Sequence, residues 1–150
     1  MTAQAAERVL SGTRYVVLST ADEDGRPWAT PVWFAREGRT RFYWVSRPGT
    51  RHSRNIAGRG DVALVVFDSQ VPVGEASAFY ARARAAELPA EEVAAGMAIF
   101  SREAEAQGIG AWDVGRVTGD APLRLYRATV TEEWVLSEDD GPDRRLPLAR

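Results

Sequence analysis

The sequence predicts a mainly β fold, a small antiparallel barrel of about six strands with two or three peripheral helices. Three observations carry this. Short β-branched and aromatic runs recur, at Tyr15–Thr20, Arg41–Ser46 and Val62–Phe67. Strong turn signals separate the strands at short intervals, at Asp22–Gly25, Glu37-Gly38 and Arg47-Pro48-Gly49. No run shows the strand–helix alternation of a parallel sheet.

Taken in order, residues 3–11 read as a short helix with Val9 and Leu10 inward, ended by Gly12. Tyr15–Thr20 is a buried strand. A second strand runs from Pro27 to Ala35 and a third from Arg41 to Ser46. Thr50 caps a short helix that Gly58 stops. Val62–Phe67 is apolar nearly throughout and reads as a strand buried on both faces. Residues 75–88 are rich in alanine, yet Phe79 alternating with Tyr80, Arg82 and Arg84 fits a long strand, and sheet context overrides helix propensity. Pro89 opens a helix with Glu91 and Glu92 in its first turn and a stripe of Val93, Met97, Phe100 and Ala104. Residues 109–122 read as loop. Leu123–Leu136 is a last long strand with Val130, Trp134 and Leu136 on one face, turned back at Asp139–Pro142 into a short terminal strand.

Composition bounds the chemistry. With 150 residues the chain is one domain, able to bury roughly 70% of its unfolded surface without staples. The absence of cysteine excludes disulfides, thiol catalysis and thiolate metal sites. All 19 basic residues are arginine, so neither a Schiff-base lysine nor a P-loop lysine exists. His52 is the single histidine, and no side chain stands out as catalytic or metal-ligating. If this is an enzyme, something it binds carries the chemistry. A net charge of −2 gives no global basic field for nucleic acid. No apolar run is long enough to span a membrane, and residues 1–10 show no secretory pattern, so a cytoplasmic location is expected.

Charge is uneven. Arg36 to Arg59 contains seven arginines and one acid, whereas residues 132–143 contain six acids and no base. The basic stretch straddles the start of the short helix, where free N–H groups and the positive dipole end favour a phosphate. Thr50 adds a hydroxyl, Arg51 and Arg54 add forked donors, and His52 adds a ring N–H. The preceding strand, PWATPVWF, carries two prolines, which place it at an edge with backbone groups free for a planar heteroaromatic ring.

The succession GRPWATPVWF, turn, RFYWVS, loop RPG, TRHSRNI and VALVVF resembles the pyridoxamine 5′-phosphate oxidase-like, flavin-binding split-barrel family. The resemblance covers residues 7–88 well and the rest in outline, through the helix near 90–107 and the strand RLYRATV. It implies a six-stranded antiparallel Greek-key split β-barrel, a single FMN-binding domain over 1–150, and a homodimer with two shared flavin sites. It implies that Thr30, Pro31, Val32 and Trp33 run along the isoalloxazine ring, with Phe34 at the end of that stretch. Trp44, Val45 and Ser46 would lie near the ribityl chain and phosphate. Thr50, Arg51 and His52 fall on the family's phosphate triplet, with His52 where lysine is usual, and Ser77 falls near the ring.

The chain also departs from the family's oxidases, which use a C-terminal Arg/His segment to hold the substrate phosphate. Here Arg124 and Arg127 lie on the last strand, Arg144 and Arg145 follow, and no histidine accompanies them. The expectation is an FMN-dependent oxidoreductase that acts on an unidentified small molecule and does not efficiently oxidise pyridoxamine 5′-phosphate. A deazaflavin-dependent reductase of the same fold and a non-catalytic flavin store or sensor are the alternatives.

Overall fold

A computed structural model describes residues 2–149. Among them, three α-helices and eight strands run in the order α1 (Thr2–Gly12), β1 (Tyr15–Ala21), β2 (Pro27–Trp33), β3 (Ala35–Glu37), β4 (Arg41–Ser46), α2 (Arg51–Gly58), β5 (Asp61–Phe67), β6 (Ala78–Glu87), α3 (Ala90–Ala106), β7 (Arg124–Leu136) and β8 (Arg145–Pro147). The strands form one curled antiparallel sheet in the order β2-β1-β5-β6-β7-β4-β3, with β8 on β7. This is the split barrel that the sequence implied. No helix of the described residues is long and apolar enough to cross a membrane.

The split has a local cause. Pro27–Ala35, read from sequence as one strand, breaks at Phe34, so that β2 pairs with β1 while β3 pairs with β4. One stretch of chain therefore supplies both ends of the sheet. The first hairpin closes on Asp22, whose Oδ1 accepts from the amides of Asp24 and Arg26, with Gly25 at φ +81°.

Two cores result. Val16 and Leu18 of β1, Leu64 and Val66 of β5, Phe79 of β6 and Tyr126 of β7 fill the inside of the curl, and α1 plugs it with Ala6 and Leu10. A second cluster lies outside β4, where Val93, Met97 and Phe100 of α3 meet Tyr43 and Leu125. The strand buried on both faces is consequently β4, covered outside by α3. The expectation of a doubly buried β5 is corrected: Asp61, Ala63 and Phe67 are exposed on its outer side, which no helix covers.

A second correction concerns β7. The pairing of β6 with β7 shifts between Arg82 and Ala83, leaving Thr131 as an extra residue opposite them. This bulge reverses the inside–outside phase. Val130 is buried with Ala128, but beyond the bulge Glu133 and Val135 point inward, while Trp134 and Leu136 lie on the opposite face. The segment 109–122, read as loop, holds one 3-10 turn at Val114–Arg116, capped by Asp113.

Candidate functional site

The site is built where α2 begins. Gly49 and Thr50 lead out of β4, and the Thr50 hydroxyl oxygen accepts from the Ser53 amide at 3.3 Å, capping the helix. Asn55 anchors the helix to β1 by donating to the Thr20 hydroxyl at 3.0 Å. Its first turn carries no acid, and the Arg51 and His52 amides have no hydrogen-bond partner among the described residues.

Arg51 and Arg54 project on one side of this turn. The Arg51 guanidinium lies 4.1 Å over the ring of Trp28, and Arg54 donates to the Gly49 carbonyl at 2.9 Å. Among the described residues neither makes an ion pair, whereas Arg26 beside them is paired with Asp24 at 3.4 Å. Asp22, which also lines the cleft, accepts from the turn amides of Asp24 and Arg26. Together with Pro27, Trp28 and Asn55, these arginines line a cleft of about 600 Å³ between α2 and the start of β2. Because β2 ends the sheet, every second residue along it turns its C=O away from β1, together with its N–H where the residue is not Pro27 or Pro31.

The structure sorts the residues expected from sequence. Arg51 lines the cleft. Thr30, Pro31 and Val32 lie on the terminal strand β2, with Pro31 exposed and Thr30 and Val32 half-buried. Ser46, Thr50 and His52 form a small cluster behind the cleft: the Ser46 hydroxyl is 2.9 Å from His52 Nε2 and 3.4 Å from the Thr50 hydroxyl. Burial pushes the His52 pKa below its ordinary value, so at neutral pH the imidazole is neutral and orients two hydroxyls. His52, expected from the resemblance beside the phosphate, thus stands against Ser46 with an uncharged ring rather than a cationic one.

Others fall elsewhere. The Trp44 indole is fully buried and stacked on Tyr126, with centroids 6.0 Å apart, so only its backbone can serve a ligand. Trp33 turns to α3, where its Nε1 donates to Gln107 at 2.9 Å and its ring meets Phe100 edge-on. Val45 packs against the α3 cluster. Ser77 keeps a buried hydroxyl without a partner, outside the cleft. Trp28 and Asn55 were not singled out from the sequence. The signal for Trp28 was its place in the proline-flanked strand, but its stacking on Arg51 is a tertiary event.

The arginines of the last strand and tail are engaged. Arg127 makes a two-pronged contact with Glu92 at 3.2 and 3.3 Å, and that pairing holds its pKa above the usual range. Arg124 donates to the carbonyls of Gly119, Ala121 and Leu123. Arg144 pairs with Asp139 at 2.6 Å, and Arg145 lies over Tyr80 at 5.0 Å.

Comparison with known proteins bears on this geometry. A family model described as pyridoxamine 5′-phosphate oxidase matches residues 2–137. No curated protein matches the sequence. Among solved structures, a haem-binding protein from Mycobacterium smegmatis superposes with a TM-score of 0.74 at 16% identity, over 97% of this chain and 57% of that longer one. The haem storage protein HutZ from Vibrio cholerae gives 0.66 at 14% identity, over 86% of this chain and 90% of its own. A structure named F420 reductase gives 0.61 at 21% identity, over 89% and 97%. At these identities the likeness shows a shared fold.

Proposed function

Because the chain belongs to the pyridoxamine 5′-phosphate oxidase family, matched over 136 of its residues from 2 to 137, we propose that it binds FMN and serves as an oxidoreductase of a small molecule. The observation that carries this is the α2 cleft, with two guanidinium groups that make no ion pair beside two unpartnered amides, and with Asp22 on the same wall already tied to its own turn. That donor set fits a phosphate dianion. Arg51 and Arg54 would hold the phosphate, and the outer edge of β2 from Thr30 to Trp33 would offer backbone groups to the ring. FMN, when bound, supplies hydride transfer. The protein's part is to bind, orient and shield it, which suits a chain without cysteine or lysine.

His52 also bears on the choice of cofactor. As the single histidine it is buried with Nε2 against Ser46, which leaves no histidine ready to ligate haem iron. A deazaflavin remains the alternative, supported by the F420 reductase likeness. The absorption spectrum of the purified protein, followed by identification of the molecule released on denaturation, tests both. Released FMN at one per chain is the expected result, a deazaflavin selects the alternative, and a colourless protein that takes up neither overturns the reading.

We also propose a homodimer. Pro31, Val17, Val65, Tyr80, Trp134 and Pro147 stand directly opposite one another across six successive strands on the outer face. Tyr15 and Phe67 extend this apolar row, 56% and 44% exposed. A stable interface there would bury on the order of 2,000 Å². A monomeric mass at micromolar concentration with flavin bound would refute it.

A further inference from the structure

A second cleft, of about 500 Å³, opens at the other end of β2. Its walls are the last turn of α1, the link Thr13-Arg14, Phe34 and Arg36 after the break in the strand, and the last turn of α3 with Glu103 and Gln107. Trp33 joins β2 to this wall: its Nε1 donates to Gln107, whose Nε2 in turn donates to Glu103 at 2.7 Å. From Trp28 in the first cleft to Trp33 is five residues of strand, roughly 17 Å at 3.3 Å per residue. One strand thus connects the candidate phosphate seat to this second cleft.

The charges here differ from those at α2. Arg14 is exposed and makes no ion pair among the described residues, with Glu103 on the opposite wall of the cleft. Arg36 is already held by Glu7, by the Ser11 hydroxyl at 3.1 Å and by the Gly38 carbonyl at 2.9 Å. Thr13 keeps a buried hydroxyl without a partner. Two helices end here, α1 and α3, and neither has a base in its last turn. Both C-termini carry partial negative charge; at α3 the carbonyls of Glu103, Ala104 and Glu105 already accept from the amides of Gln107, Ile109 and Gly108, and the Glu103 carboxylate adds a full charge. A cation without an ion pair on one side and an acidic wall on the other suit a zwitterion rather than a dianion.

We propose that this cleft binds a small amino acid or amino-carboxylate, its carboxylate on Arg14 and its ammonium on Glu103 and the end of α1. That this molecule is the one that reacts rests on the flavin reading; its binding does not. The indole N–H resonance of Trp33, assigned by its loss in Trp33→Phe, reports on occupancy through Gln107. L-serine should shift it saturably, in flavin-free and FMN-loaded protein alike. L-serinamide, without the carboxylate, and 3-hydroxypropionate, without the ammonium, should bind about tenfold more weakly or worse, the loss for one charge-assisted contact. Arg14→Ala and Glu103→Gln should each lose L-serine by about the same factor while retaining the wild-type melting profile. Equal titration by L-serine and L-serinamide, or undiminished binding by Arg14→Ala, overturns the proposal. Failure to bind FMN with the L-serine shift intact overturns the flavin reading and leaves the zwitterion site standing.

Discussion

The two helices that flank the barrel wall, α2 and α3, begin in opposite ways. The N-terminus of α3 is filled by the chain itself: Glu91 and Glu92 occupy its first turn, and Glu92 draws in Arg127 from β7. The N-terminus of α2 has no acid, and its arginines face the cleft unpaired. Both ends have the same dipole, but only one keeps capacity for an external anion. The number of arginines near a helix start is therefore a poor guide. Whether the fold has already supplied each with a carboxylate or carbonyl decides what it can hold.

That contrast bears first on the family's name-giving substrate. Pyridoxamine 5′-phosphate would need a second phosphate seat beside the cofactor's. Arg124, Arg127 and Arg144 are engaged with carbonyls or carboxylates, and Arg145 stacks on Tyr80. Lacking two charge-assisted contacts at about 1.5–3 kcal/mol each should lower catalytic efficiency by about two to four decades. The assay is pyridoxal phosphate formation by FMN-loaded protein under oxygen. Turnover near one per second with micromolar KM, ordinary for an enzyme, would mean that the α3 side does free a cation.

At the α2 side, Arg51→Ala should weaken FMN by about 1.5–3 kcal/mol, the range for a hydrogen bond to a charged group. Riboflavin, which lacks the phosphate, should lose far less. Fluorescence titration of both flavins against both proteins makes the comparison. Equal losses would show that Arg51 acts on the ring or on the fold through Trp28.

The α3 side, by contrast, is built for close packing, and Gly96 tests that. A Cβ there would sit 2.6 Å from Leu88 Cδ2, 2.9 Å from Leu125 Cδ2 and 3.4 Å from Tyr43 Cε1. Overpacking of this kind costs about 1–3 kcal/mol, against which alanine returns about 1 kcal/mol of helix propensity. Gly96→Ala should therefore destabilise by up to about 2 kcal/mol in urea unfolding, with flavin affinity unchanged. A stabilising result would show that the second core yields more easily than its contacts suggest.

Much of this contrast was legible in the sequence. Thr50 before a run ended by Gly58 marked α2, and Pro89 with Glu91 and Glu92 marked α3, because caps and first-turn charges are local signals. The long strand β6 was legible from its alternation despite its alanines. What escaped depends on partners distant in sequence. The break at Phe34 follows from β1 and β4 competing for one stretch of chain. The bulge at Thr131 reverses a face that alternation alone continues unbroken. In the site, the position of Arg51 and Arg54 at the start of α2 was legible. The removal of Trp33 to α3, of Trp44 to the core and of His52 to Ser46 was not, since an aromatic ring suits core and cofactor equally.

The smallest expected effect separates His52 from the arginines around it. Burial holds its folded-state pKa below the ordinary 6.5, so it stays neutral in the native protein at a pH where the unfolded chain takes up a proton. Its contribution is thus intact above pH 6.5 and is lost as pH falls towards the depressed folded value. The loss cannot exceed about 1.4 kcal/mol per pH unit for one proton. The carboxyls of Glu7 and Glu37, lowered by hydrogen bonds from Arg36 and Tyr43, act in the same direction only below pH 4.5. Unfolding followed between pH 7.5 and 5 isolates the histidine. The wild-type protein should lose stability across that window, and His52→Gln should give a nearly flat profile. If both fall in parallel, the imidazole is not the titrating group, and the contrast between a neutral His52 and its cationic neighbours fails.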